Sequence, residues 1–420
     1  MIHFQHATLS NGLRVLVHED PTTPIAAVNV TYNVGSRDED PSHTGMAHLM
    51  EHYMFTGSPN APDYDGVLQK VGAYNNAFTS QDLTNYYIVL PANNVETALW
   101  LESDRMLALR FEQSSLDVQK QVVMEEFKEN YLNRPYGDLM MLFYAMVYQK
   151  HPYQWLPIGK CLEHIAEVDM AMIRDFHGRF YRPNNAVLVV AGNVQAAEVF
   201  QLADKWFGDI PGGAPLHKTY PSEDCQTEAR LQTVHRDVPT PALVKGWPMC
   251  NRLHPDYYAY DLISDMFGTG QSSYLYQEFV HKKKLFSTIS AAITGTTDNG
   301  CFLISGYPAE GVTLEEADMA LSDYLYHFQF PDTLPHDLQK VQNRAESVLL
   351  NSEIKVDDRA TTLAIGEVTS EAEYFTHDRD HYFAVTEEKI KTVAHSLFRE
   401  EMSNTLRYDG GVKKLRGVKG

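Results

Sequence analysis

Apolar positions along this chain switch between two periods. Clusters of β-formers at residues 14–18 and 26–34 read as strands, with Asn11-Gly12 as the turn before the first. A helix-compatible stretch opens near Gly45, and Asn60-Ala61-Pro62 breaks the pattern after it. Extended segments return at residues 72–79 and 84–90, and Pro91 ends the second. Helical spacing then covers residues 95–109, through Val95, Ala98, Leu99, Leu101, Met106 and Leu107, and again residues 116–131. Pro183-Asn184-Asn185 turns into the apolar run 186–192, a buried strand, and a helix follows at 196–206. The strongest linker signal is Ile210-Pro211-Gly212-Gly213-Ala214-Pro215.

Beyond that linker the order starts again. A strand is expected at 242–247, a helix near 256–267 that stops at Gly268-Thr269-Gly270, and a strand pair at about 288–294 and 301–306. Helices follow at 314–328 and 335–352. Two loose echoes accompany this. Leu116-Asp117-Val118-Gln119-Lys120 returns as His336-Asp337-Leu338-Gln339-Lys340, and Met54-Phe55-Thr56-Gly57 as Met266-Phe267-Gly268-Thr269-Gly270. Two domains are therefore expected, residues 1–212 and 213–420.

One stretch carries chemistry. His48-Leu49-Met50-Glu51-His52 reads H-x-x-E-H between helix-compatible flanks. On a helix, positions i, i+3 and i+4 share a face. Two neutral imidazoles there can hold Zn²⁺, and the carboxylate between them can take a proton from water. The chain has 18 histidines, so close pairs also arise by chance. His377 and His381 are another pair four apart, but their run is densely charged and reads as a solvated face. The helix of the second half at 256–267 has no histidine, so only the first half offers this site. A three-ligand site needs one more donor. Glu125, Glu126 and Glu129 follow the apolar Val122-Val123-Met124, and each qualifies on these grounds.

Composition narrows the partners. Lys and Arg number 35 against 55 Asp and Glu, a net charge of −20, which disfavours nucleic acid and anionic membrane. The four cysteines, Cys161, Cys225, Cys250 and Cys301, form no C-x-x-C pair and read as free thiols of a reducing compartment. No run approaches the ~18 apolar residues a membrane helix needs. The first residues lack a basic and then apolar leader pattern. The expectation is a soluble, cytoplasmic protein, with a leader already removed as the alternative.

At this point the chain resembles the pitrilysin/insulinase family of inverzincin metallopeptidases, in particular its short bacterial and mitochondrial processing-peptidase branch. The resemblance rests on Leu9-Ser10-Asn11-Gly12-Leu13-Arg14, Gly35-Ser36-Arg37, Gly45-Met46-Ala47-His48, Asn76-Ala77-Phe78-Thr79-Ser80 with Thr84-Asn85-Tyr86-Tyr87, and Tyr181-Arg182-Pro183-Asn184-Asn185. It implies an α+β fold: two similar αβ domains, each a mostly antiparallel sheet packed with helices, enclosing a chamber. It implies Zn²⁺ as cofactor, His48, His52 and Glu126 as its ligands, and Glu51 as general base in peptide hydrolysis. It places Gln119 where the family often has a second-shell glutamate. It makes Asn76, Ala77, Phe78 and Thr79 the edge that aligns an extended peptide.

One departure stands out. Family members carry an Arg and a Tyr, seven apart, that hold substrate from the second half; here Val280 and Ser287 occupy those positions. The resemblance thus implies either a homodimer or a heterodimer with a related chain that supplies the pair. A non-catalytic, partner-dependent subunit is the alternative to an active peptidase.

Overall fold

A computed structural model describes residues 2–410 of the chain. It divides into two compact units. The first comprises Met1–Lys128, His151–Pro221 and Val348–Asp378, and the second Glu129–Lys150, Ser222–Ser347 and Arg379–Gly420.

The first unit holds a six-stranded sheet of β1 (Gln5–Thr8), β2 (Arg14–Glu19), β3 (Ile25–Tyr32), β4 (Tyr74–Thr79), β5 (Thr84–Pro91) and β6 (Ala186–Gly192). The spatial order is β1-β2-β6-β3-β5-β4, so β4 is an edge. All pairs are antiparallel except β2 with β6. Strand β6 is apolar throughout because it lies inside the sheet with both faces covered. Its Val187 and Val189 meet Ala360, Leu363 and Ala364 of the helix Val356–Thr369. Leu188 and Val190 are equally buried on the opposite face, and the helices Val95–Leu107 and Ala196–Phe207 pack against β3 and β2. At the edge, β4 alternates exposed and half-buried positions.

The second unit holds β7 (Arg230–His235), β8 (Ala242–Pro248), β9 (Phe286–Ile293), β10 (Cys301–Pro308) and β11 (Asn404–Asp409), in the order β7-β11-β8-β10-β9. Again one pair, β7 with β11, is parallel and the rest are antiparallel. Strand for strand this repeats the connectivity of β2 to β6. In both sets of five, β2–β6 and β7–β11, the first strand lies parallel beside the last, and the third in sequence forms an outer edge. The repetition suspected from two weak echoes is thus written in topology. The helix Leu139–Val147 packs on β8 and β11, with Leu139 and Leu142 against Ala242 and Tyr408.

The units do not follow a single cut after residue 212. Each sheet takes a covering helix from the other half of the sequence: residues 356–369 join the first unit and residues 139–147 the second. A sheet with two apolar faces needs cover on both, and here the cover lies far along the chain. Two other differences are local. The helix expected over 116–131 runs Gln113–Phe127 and passes into a π-helical turn at Lys128–Leu132. Strands β7 and β11 and the helices after residue 352 lie outside the elements expected from the sequence. All four cysteines are free thiols, and among the described residues no helix is long and apolar enough to cross a membrane.

A fragment of residues 1–212 lacks the helix Val356–Thr369. It is expected to expose Leu16, Ala27, Val187 and Val189, and so to aggregate or bind a hydrophobic dye such as ANS. A compact, dye-free fragment with native near-UV dichroism would contradict this cover.

Candidate metal centre and proton acceptor

The H-x-x-E-H stretch forms the helix Met46–Tyr53 between β3 and β4. Gly45 precedes it at φ 90, and a Cβ there would lie 2.9 Å from the Ile158 carbonyl oxygen, so only glycine fits. Leu49, Met50 and Tyr53 are wholly buried and fix the helix's inner side. His48 and His52, one turn apart, stand with ring centroids 4.8 Å apart and planes at 86°.

The helix Gln113–Phe127 brings the third group. Glu126 Oε2 lies 3.8 Å from His48 Nε2 and 3.7 Å from His52 Nε2. These gaps are too long for hydrogen bonds. They suit three donors placed about 2.0–2.2 Å from one shared centre, since two atoms at that radius lie at most about 4.4 Å apart. This is the one group of three or more His, Cys, Asp or Glu among the described residues whose ligand atoms converge, all within 4.8 Å of one another. Burial pushes His48 down to about 4, with the neighbouring His52 acting in the same direction. Burial also lowers His52, against the pull of Glu126 and of a hydrogen bond from the ring to Gln119. Both imidazoles are therefore neutral at pH 7, with lone pairs free for a metal. Neither is a salt-bridge partner for Glu126 in that state.

Of the three glutamates, Glu126 is the one turned toward the histidines. Glu125 turns outward to Lys128, at 2.6 Å, and Glu129 sits exposed in the π-helical turn. Gln119, two turns before Glu126, bonds His52 in the sense that raises its proton affinity, so the amide oxygen accepts from the ring. The other close pair builds no site. His377 lies 3.5 Å from Glu373, and His381 Nδ1 bonds the Tyr258 hydroxyl at 2.9 Å.

Glu51 is buried beside this cluster, and burial lifts its carboxyl to about 7. The Thr79 hydroxyl donates to Glu51 Oε2 and pulls it down, while Glu126 pushes it up. Along β4, Asn75, Ala77 and Thr79 share the half-buried side-chain face, which packs against the metal helix, while Tyr74, Asn76 and Phe78 face out. The backbone of residues 76–79 lies on an edge of the sheet. Within the edge, the Ala77 N–H bonds the Asn76 side-chain oxygen at 2.9 Å. In the second unit, Val280 is half-buried, and Ser287 is exposed with its hydroxyl on the Tyr307 carbonyl at 3.1 Å.

Comparison with known proteins agrees with this geometry. Residues 14–154 match the description of the insulinase family, peptidase family M16, and residues 167–350 match that of the M16 inactive domain. An uncharacterized zinc protease of Mycobacterium leprae is 30% identical over 303 residues, 71% of this chain and 67% of that one. The chain belongs to peptidase family M16. Zinc protease PqqE of Helicobacter pylori is 29% identical to this M16 chain over 408 residues, 96% of it and 92% of the relative. The crystal structure of a protease from Helicobacter pylori matches with a TM-score of 0.89 at 28% identity, covering 97% of this chain and all of that one. Pitrilysin shares the fold, with a TM-score of 0.78 at 18% identity over 45% of its chain.

Gln119→Glu puts a carboxylate where the amide now bonds His52. It is expected to tighten zinc binding by about tenfold, the lower end of what such outer-shell partners contribute. Competition titration against a chelator measures this, and an unchanged affinity would remove Gln119 from the site.

Proposed function

We propose that this chain is a zinc-dependent endopeptidase that hydrolyses unstructured peptides. The observation that carries the reading is the convergence of His48, His52 and Glu126 with Glu51 buried beside them. The donor set of two imidazoles and one carboxylate, with a fourth position open, is that of catalytic rather than structural zinc. Zinc bound there lowers the pKa of a water toward ~7 and polarises a carbonyl.

The chain's own groups supply the rest. Glu51 accepts the proton of the attacking water and passes it to the leaving amine. Its Oε2 is held by Thr79, which leaves Oε1 to carry the proton. The outer edge of β4 offers backbone groups to an extended peptide added as a further strand. The Ala77 N–H, now on the Asn76 side chain, is one donor such a strand would take over. Backbone pairing tolerates many side chains, so unfolded segments of varied sequence fit this mode.

Val280 and Ser287 favour a second chain. Neither side chain can replace a cation or a phenol as a hydrogen-bonding clamp on substrate. We assign that role to a partner, a related chain that carries an Arg/Tyr pair; a homodimer would repeat Val280 and Ser287 and could not supply it. Co-purification from the native source tests this, and full activity of the monomer would exclude it. Zinc uptake without cleavage, even with candidate partners added, would instead favour a non-catalytic subunit.

Glu51→Gln is expected to keep zinc and lose about 10²–10⁴-fold in kcat on an unstructured peptide, the span of general-base catalysis. Retained turnover in this variant would refute the mechanism. Thr79→Val removes a donor that favours ionised Glu51. The carboxyl rises, and the acid limb of the kcat/KM profile is expected to move to higher pH; an unmoved limb would detach Thr79 from Glu51.

A further inference from the structure

The helix that presents both imidazoles has only eight residues, too few to be held by its own hydrogen bonds. Its first N–H groups have no partners inside the helix, as at any helix start. The usual remedy is a capping side chain at the residue before the helix. Here that residue is Gly45, which has none.

The remedy comes from Glu39. Its Oε2 accepts from the Gly45 N–H at 2.9 Å, and its Oε1 from the Ala47 N–H at 2.8 Å. Ala47 directly precedes His48. The same carboxyl accepts from the Trp155 indole N–H at 2.9 Å, and that indole also reaches the Ser36 carbonyl at 3.0 Å. Both Glu39 and Trp155 are buried. Next door, Thr44 bonds His164 Nδ1 at 2.9 Å through its hydroxyl and receives the Lys160 N–H at 2.8 Å. The first turn of the metal helix is thus tied to the chain around residues 155–164. Burial pushes the Glu39 carboxyl up to about 8 even against its three N–H donors. So costly a group is better replaced by an apolar one unless its bonds hold something in place.

We propose that Glu39 is a positioning residue for the zinc site: by gripping the N–H groups of Gly45 and Ala47 it fixes where the helix begins, and hence where His48 and His52 aim their ring nitrogens. The inference rests on zinc being held by those two histidines and Glu126. Ligand atoms must sit within about 0.5 Å of their working positions, and a two-turn helix anchored at one end transmits any shift of that anchor. An amide at position 39 keeps the volume but turns an NH₂ group toward an N–H donor, so at least one bond is lost whatever the protonation of the native carboxyl.

The test uses the full chain. Zinc affinity is read by competition with a chromophoric chelator, and ligand geometry by the visible spectrum of the cobalt(II) form. Glu39→Gln, folded by circular dichroism, is expected to bind zinc about tenfold more weakly with a changed cobalt spectrum. Wild-type affinity and spectrum in that folded variant would overturn the positioning role and leave the zinc site standing. A wild-type chain that binds no zinc would overturn the site, and this inference with it. Should the variant not fold, amide exchange in the wild type decides: the Ala47 N–H is expected to exchange as slowly as helix-interior amides, and fast exchange there would refute the grip.

Discussion

Three electron-pair donors meet in one small volume, and the protein places no positive charge among them. Among the described residues Glu126 has no lysine or arginine within salt-bridge reach, and both imidazoles are held neutral by burial. Such a cluster repels itself and is costly to assemble. It persists because packing elsewhere dictates it. Leu49, Met50 and Tyr53 lock the metal helix inward, and Val123 and Phe127 do the same for the helix that carries Glu126. A divalent cation bound here would turn this local penalty into binding energy, and the relatives' name, zinc protease, points to one.

The duplicated connectivity explains why there is one such cluster and not two. The helix Tyr257–Gly268 occupies, between β8 and β9, the place that the metal helix occupies between β3 and β4. Its sequence buries Tyr257, Tyr258, Ala259, Leu262 and Ile263 and offers no imidazole. With no ligands to present, that helix is free to serve packing alone. The first copy has the opposite demand, since its helix must hold two largely buried histidines toward Glu126 on a backbone only two turns long. The anchoring by Glu39 and Trp155 follows from that demand.

Local features of this molecule could be read from the sequence, and distant ones could not. The i, i+3, i+4 spacing of His48, Glu51 and His52 is a property of one helical turn, so the residues alone placed them together. The strands β2 to β6 and β8 to β10 were legible because each has its own periodicity and turn signals. Glu126 was different: three glutamates in one helix end look alike until the helix is packed, and only the family resemblance chose among them. Thr79 was placed on its strand, but the bond of its hydroxyl to Glu51 was not foreseen, because alternation tells which residues share a face without telling what that face meets. Glu39 had no signal at all, since a cap that reaches across six residues obeys no period. The helix Val356–Thr369 mixes Gly, Asp and β-branched residues, and its burial depends on a sheet more than 150 residues away in sequence.

Sequence and geometry agree most uneasily in the second unit. The segment around Val280 and Ser287 keeps its packing: Phe279 and Phe286 are buried with their rings 5.7 Å apart. The packing of the segment is therefore intact, while Val280 and Ser287 stand where the family resemblance leads one to expect an Arg and a Tyr. A clamp lost through decay would be expected to lose its packing too, because nothing would then hold the segment's register. A preserved scaffold with an apolar side chain and a short hydroxyl at its tips supports the partner proposed for this chain, because packing of this kind keeps the segment's shape without supplying a clamp of its own.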